Sequence, residues 1–88
     1  MNDLDRTLVE RTQEYIRNNI PWLADTIANT LNKGVSRLKF FVMNSGLVFD
    51  TVTVEVETGD IELSYEVWIN DDETEKRTQY IGNFYKDF

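Results

Sequence analysis

A chain of 88 residues with a formal net charge of −7 is long enough for one modest hydrophobic core, so we predict a single domain over residues 1–88. The absence of cysteine excludes disulfides and thiolate metal sites, and the absence of histidine removes the commonest general base at neutral pH. The acidic N-terminus is unlike a secretory signal and no apolar run approaches the roughly 20 residues of a membrane span, so we expect a soluble cytoplasmic protein.

The first third of the chain predicts two amphipathic helices. Apolar side chains recur at helical spacing from about residue 3 to residue 18, with charged side chains on the opposite side. Pro21 breaks this pattern, and it suits the first turn of a second helix that ends at Gly34. As a helical hairpin or as one kinked helix, the two segments can cover one face of a sheet.

A first β-hairpin is predicted after the helices. Residues 38–42 alternate between two faces, and the sequence Asn-Ser-Gly at 44–46 is typical of a three-residue hairpin loop. This loop predicts the following cross-strand pairs: Val42 with Val48, Phe41 with Phe49, Lys39 with Thr51, and Leu38 with Val52.

A second, central hairpin gives the clearest pattern in the chain. Residues 48–57 and 61–69 alternate apolar and polar side chains on either side of a turn that contains Gly59. A turn of two or four residues keeps the apolar side chains on one face, whereas a three-residue loop would set valines opposite glutamates. The accepted register predicts these pairs: Val56 with Ile61, Val54 with Leu63, Val52 with Tyr65, and Val48 with Ile69.

The same register creates two unfavourable features. It places Asp50 on the buried face opposite Val67, so we expect either a bulge that turns the carboxylate away or a strand end that is open to water. Like charges directly across a ladder are destabilising. Two such pairs are predicted: Glu55 with Glu62, and Glu57 with Asp60.

A fourth strand is expected from Lys76 to Phe84, with its register left open. The predicted fold is therefore α+β with the order ααββββ. Two N-terminal helices pack on one face of a four-stranded antiparallel meander, and the other face of the sheet has no predicted cover.

Aromatic side chains gather at one end of this uncovered face. The two registers place three of them in one row across three strands: Phe41, Phe49 and Trp68. If the last hairpin turns on residues 71–74, Arg77 lies beside Trp68, where a cation–π contact can form. A contiguous apolar patch is typical of a partner or dimer interface, although cross-strand stabilisation or a covering C-terminus would also account for it.

Acidic side chains dominate the second half of the chain. Residues 50–75 contain ten acidic residues and no lysine or arginine. This asymmetry argues against direct binding of nucleic acid or an anionic membrane and favours a basic protein partner, with a solvated edge as the alternative. The candidate partner-binding acids are Glu55, Glu57, Asp60, Glu62, Glu66, Asp71, Asp72 and Glu73.

The residue types needed for catalysis are missing, so we expect no enzyme. The serines lack a nearby base, and no nucleophile elbow or glycine-rich phosphate loop is present. The acidic run at residues 70–75 does not match an EF-hand, because its sixth position is Glu75 instead of glycine and its twelfth is Ile81 instead of glutamate. We therefore predict no catalytic residues, no metal site and no cofactor.

In size, acidity and lack of catalytic residue types, the chain resembles the small acidic inhibitors that phages and mobile elements use against host nucleic-acid enzymes. Uracil-DNA glycosylase inhibitors and anti-CRISPR proteins are examples, and the likeness is one of overall profile rather than of any motif. The resemblance implies a viral inhibitor that mimics DNA and occupies the basic groove of a nucleic-acid-binding protein. The alternative is a homodimeric structural or adaptor protein that uses the aromatic face.

Overall fold

The computed structural model describes residues 2–42 and 50–88 and has the predicted α+β architecture. Two helices precede a four-stranded antiparallel sheet with the strand order β1-β2-β3-β4, and a short third helix follows the sheet. The elements are α1 Asp3–Asn18, α2 Ile20–Asn32, β1 Arg37–Val42, β2 Asp50–Glu55, β3 Asp60–Trp68, β4 Thr74–Asn83 and α3 Phe84–Asp87.

The two N-terminal helices begin and end where the sequence predicts. The side chain of Asn2 caps α1 by accepting a hydrogen bond of 2.8 Å from the backbone N–H of Asp5. Only Asn19 separates α1 from α2, and Pro21 lies in the first turn of α2. Gly34 follows α2 with a φ of 73°, a conformation that glycine adopts without strain.

The hydrophobic core lies between the helices and the inner face of the sheet. Each helix contributes the side chains that face the sheet, and each strand contributes alternate residues. The buried apolar residues are Leu8, Ile16, Leu23, Ile27, Val42, Val52, Val54, Val56, Ile61, Leu63, Tyr65 and Ile81.

The strand registers differ by two residues from the predicted ones. In the central hairpin Val54 pairs with Ile61, and Val52 pairs with Leu63. The turn is longer than predicted because Val56 leaves the ladder, donates its backbone N–H to Ser36 and keeps its side chain in the core. A shift of two residues returns every side chain to the same face, so alternation alone predicts the faces but not the partners.

The first hairpin is shifted in the same way. Phe40 pairs with Val52, and Phe41 pairs with Thr51 instead of with Phe49. The predicted loop at residues 44–46 and Phe49 itself lie outside the described residues.

The unfavourable acidic pairs are absent from the observed ladders. Thr53 lies opposite Glu62, and Arg37 lies opposite Glu55 with 2.6 Å between Nε and Oε1. The predicted Glu55–Glu62 and Glu57–Asp60 pairs are therefore wrong, because the shift brings a cation to Glu55.

Asp50 lies on the inner face, as predicted, but neither expected relief occurs. It pairs with Val42 in a regular ladder and is only 2% exposed. The described sheet has its irregularity elsewhere, between Ile61 and Glu62 where β3 pairs with β4.

The last hairpin places Arg77 on the inner face of the sheet. Trp68 pairs with Thr74 across a loop of residues 69–73, so Arg77 lies opposite Tyr65. The predicted cation–π contact between Arg77 and Trp68 is therefore wrong, because the two side chains lie on opposite faces.

A C-terminal clasp, formed by residues 83–88, closes the end of the sheet that carries the central turn. The strand predicted to reach Phe84 ends at Asn83. Phe84 at the start of α3 and Phe88 just after it both pack against the core. Tyr85 donates its hydroxyl to the backbone carbonyl of Val56. The clasp therefore holds the central turn, and its two phenylalanines pack toward the core rather than over the outer face of the sheet.

A buried polar cluster joins the first helix to the last two strands. The carboxylate of Asp5 accepts hydrogen bonds from the hydroxyl of Tyr65 and from Arg77, whose Nη1 lies 3.3 Å from Oδ1. Gln79 donates to the same hydroxyl at 3.4 Å. Burial raises the pKa of Tyr65 above its ordinary value of 10.0, and the neighbouring Asp5 carboxylate raises it further.

The raised pKa of Tyr65 predicts a loss of stability in alkali. Below pH 10 this tyrosine is neutral in both states, but at higher pH the unfolded chain ionises first, so the free energy of unfolding falls as pH rises. The slope for one such group is at most about 1.4 kcal/mol per pH unit. We expect urea unfolding to show that the free energies of unfolding of the wild type and of Tyr65→Phe approach each other as the pH rises above 10. A difference that stays constant with pH would contradict the prediction.

Candidate protein-binding surface

Within residues 2–42 and 50–88 no helix packs on the outer face of the sheet, and the predicted acidic residues fall into two groups at the ends of this face. The first group surrounds the central turn and consists of Glu57, Asp60 and Glu62. Glu55 lies beside it, but its charge is offset by the ion pair with Arg37.

Asp60 is the most firmly held member of this first group. Its Oδ1 accepts hydrogen bonds of 3.1 Å from the side-chain amide of Asn83 and of 3.1 Å from the hydroxyl of Tyr80. These hydrogen bonds, that of Asn83 above all, hold the pKa of Asp60 below its ordinary value of 3.8. Asp60 therefore carries a fixed negative charge at neutral pH.

The second acidic group lies in the loop between β3 and β4. Asp71, Asp72 and Glu73 are all exposed, and among the described residues no lysine or arginine forms an ion pair with them. The loop is shaped by its own backbone, because the N–H of Ile69 donates to the carbonyl of Glu73 at 3.1 Å and the N–H of Asp72 donates to the side chain of Asn70 at 2.9 Å.

The two acidic groups are far apart. Trp68 lies eight positions beyond Asp60 along β3, which corresponds to about 26 Å at the rise of a β-strand. The molecule is accordingly elongated, with principal extents of 44 × 22 × 20 Å. Glu66 lies between the groups, opposite Lys76. The predicted acids therefore form two ends rather than one continuous surface.

The predicted aromatic row is also divided. Phe41 is 79% exposed, and its row across the sheet continues through Thr51, Ser64 and Thr78. Trp68 is 61% exposed but lies four residues beyond Ser64, about 13 Å further along β3. The expectation that Phe41 and Trp68 share one row is wrong, because the registers shift by two residues.

Trp68 instead lies next to the second acidic group. It stands at the end of β3, followed directly by Ile69, which is 54% exposed, and by the three loop acids. We name residues 68–74 the hairpin tip. The sequence pattern placed Ile69 on the buried face opposite Val48, and only the polar run that follows it signalled that the strand was leaving the core.

The described residues contain no group of three or more carboxylate side chains placed to hold a metal ion. Within the same part of the chain, no helix is both long enough and apolar enough to cross a membrane. A scan against models of protein families found no match, and searches of curated proteins and of solved structures found none either.

Proposed function

We propose that this protein is a small acidic interaction module that inhibits a basic nucleic-acid-binding protein by occupying its binding groove. The observation that carries the proposal is the hairpin tip, where an exposed tryptophan and an exposed isoleucine lie close in sequence to three carboxylates that form no ion pair with any described residue. Binding hot spots favour a large aromatic anchor that is desolvated on contact, and the surrounding charges set the rate and specificity of association.

The charge pattern supports a basic partner. Residues 40–75 contain no lysine or arginine, so every charged side chain in the tip and the central turn is negative. A groove that binds phosphates is lined by lysine and arginine, which such carboxylates complement. The first acidic group, at the opposite end of a 44 Å molecule, can meet the same groove further along its length.

The alternative is a homodimer that buries a continuous aromatic face. The described geometry weakens this alternative, because Phe41 and Trp68 lie in different rows with the small residues Thr51 and Ser64 between them. An aromatic interface should also persist at high ionic strength, whereas an electrostatic complex should dissociate.

Replacing Trp68 with alanine is expected to weaken binding to the partner by roughly 30-fold, since truncating a hot-spot residue costs about 2 kcal/mol and each 1.4 kcal/mol is tenfold. The partner is captured from nuclease-treated lysate at low salt, identified by mass spectrometry, and titrated by calorimetry. Because Trp68 is largely exposed, the variant should keep the stability of the wild type.

Charge-reversal variants separate the tip from overall charge. Asp71→Lys with Asp72→Lys should abolish binding, while Glu57→Lys with Glu62→Lys changes the net charge equally and should weaken it much less. Equal losses in both pairs would show that net charge alone governs binding. Capture of only the protein's own copies would support the homodimer instead.

A further inference from the structure

A shallow depression of about 380 Å³ lies in the middle of the outer face, between the two acidic groups. It exists because the central side chains of this face are short, while longer side chains rise at its rim. Its lining side chains are Lys39, Thr51, Thr53, Ser64, Glu66 and Lys76. Its volume is within the range of small-molecule sites.

The floor of the depression is built from hydroxyl groups. Thr51 and Thr53 come from β2 and Ser64 from β3, and the hydroxyl of Ser64 lies 3.3 Å from that of Thr78. Tyr65 also lines the floor, but through its backbone, because its side chain is buried on the inner face. Hydroxyl groups both donate and accept hydrogen bonds, so this floor suits a polar ligand.

Two lysines rise at opposite edges of the depression. Lys39 comes from β1 and Lys76 from β4, and among the described residues neither ammonium forms an ion pair. The nearby Arg37 differs, because it is paired with Glu55 at 2.6 Å. Among the described lining residues Glu66 is the one acid beside two lysines, so this part of the lining is positive on a chain whose net charge is −7.

We propose that this depression binds a small phosphate monoester that also carries hydroxyl groups. The phosphate lies between Lys39 and Lys76 and accepts hydrogen bonds from the threonine and serine hydroxyls. Glu66 accepts a hydrogen bond from a hydroxyl group of the ligand, which favours a phosphorylated polyol or sugar over a bare anion. The site is separate from the hairpin tip and does not depend on the proposed function.

The surroundings limit the ligand to a small anion. A nucleic-acid strand crossing the depression along β3 would meet Glu62 on one side and Glu66 on the other, so its phosphates would be repelled at both ends. An uncharged ligand would gain no electrostatic attraction from the two lysines. A compact dianion is attracted by both of them.

The test is an NMR titration of the ¹⁵N-labelled protein with glycerol 3-phosphate and with inorganic phosphate, at constant ionic strength and above the second pKa of the ligand. We expect saturable shifts of the amide signals of Thr51, Thr53 and Ser64, with tighter binding of the phosphorylated polyol. Lys39→Ala with Lys76→Ala should weaken binding at least roughly tenfold, because two charge-assisted hydrogen bonds are lost.

Matched variants keep the result interpretable. Lys33→Ala with Lys86→Ala removes two exposed lysines elsewhere and should leave the titration unchanged. Glu66→Gln should tighten the binding of inorganic phosphate by removing a repulsive charge. Shifts that do not saturate, shifts that chloride reproduces, or equal titrations of the two lysine variants would overturn the proposal.

Discussion

Replacing Gly59 with alanine is expected to lower the free energy of unfolding by roughly 3 kcal/mol. The loss has two causes: the strain of a left-handed backbone conformation and the displacement of the C-terminal clasp. Gly59 has a φ of 88°, and an added Cβ would lie 2.5 Å from Cδ2 of Tyr85 and 2.8 Å from Oδ1 of Asn83. The clasp would have to move away from the turn. This movement would disturb the hydrogen bond of 2.7 Å that the backbone N–H of Phe84 donates to the carbonyl of Gly59. The side-chain amide of Asn83 also donates to Thr58 at 2.8 Å.

Gly34→Ala is the control for this prediction. Gly34 has a similar φ of 73°, but an added Cβ would have no atom within 4 Å. It should therefore cost only the backbone strain, about 1 kcal/mol. Urea unfolding followed by circular dichroism measures both variants, and equal losses would contradict a role for the clasp in closing the turn.

Asp5→Ala is the second large effect, with an expected loss of about 3 kcal/mol in the free energy of unfolding, because it leaves a buried phenol without its acceptor and removes one of the two carboxylates that contact Arg77. Asp5 is 7% exposed and accepts hydrogen bonds from Tyr65 and Arg77. Arg77 keeps its contact with Glu75, in which Nη2 lies 3.0 Å from Oε2, so the loss stays below that of a fully isolated charge.

Two further variants distinguish the effect of the buried contacts of Asp5 from the effect of a negative charge in the first turn of α1. Asp3 lies in the same first turn of α1 but is fully exposed, so Asp3→Ala should cost less than about 0.5 kcal/mol. Asp5→Asn keeps an oxygen acceptor for Tyr65 and should lie between the two. Similar losses for Asp3→Ala and Asp5→Ala in thermal unfolding would show that the buried cluster contributes little.

The sequence was sufficient to predict the order and type of the first two helices and the four strands, because each rests on local periodicity, but it did not predict the short helix α3. Helical spacing, Pro21 and Gly34 bounded the helices, and alternation assigned the faces of the strands. The register was not predictable, because shifts of two residues preserve both faces. Only the departure of Val56 from the ladder and the contact between Arg37 and Glu55 distinguish the observed register.

The sequence predicted which residues of the candidate site are exposed, but not how they are arranged on the sheet. The exposure of Phe41 and Trp68 followed from alternation, but their separation depended on the register. Arg77 gave no local signal of burial, since its partner Asp5 lies 72 residues away in the chain. Lys39 and Lys76 were likewise unremarkable until the sheet placed them around one depression.

The contact between the first helix and the last strand also bears on the order of folding. Each strand of the meander pairs with its neighbour in the chain, so the sheet closes only short loops, whereas docking α1 on β4 closes nearly the whole chain. We therefore expect the meander to form first and α1 to dock after the rate-limiting step. In stopped-flow measurements Asp5→Ala should then speed unfolding while leaving the folding rate nearly unchanged, and a slower folding rate would place helix docking in the nucleus.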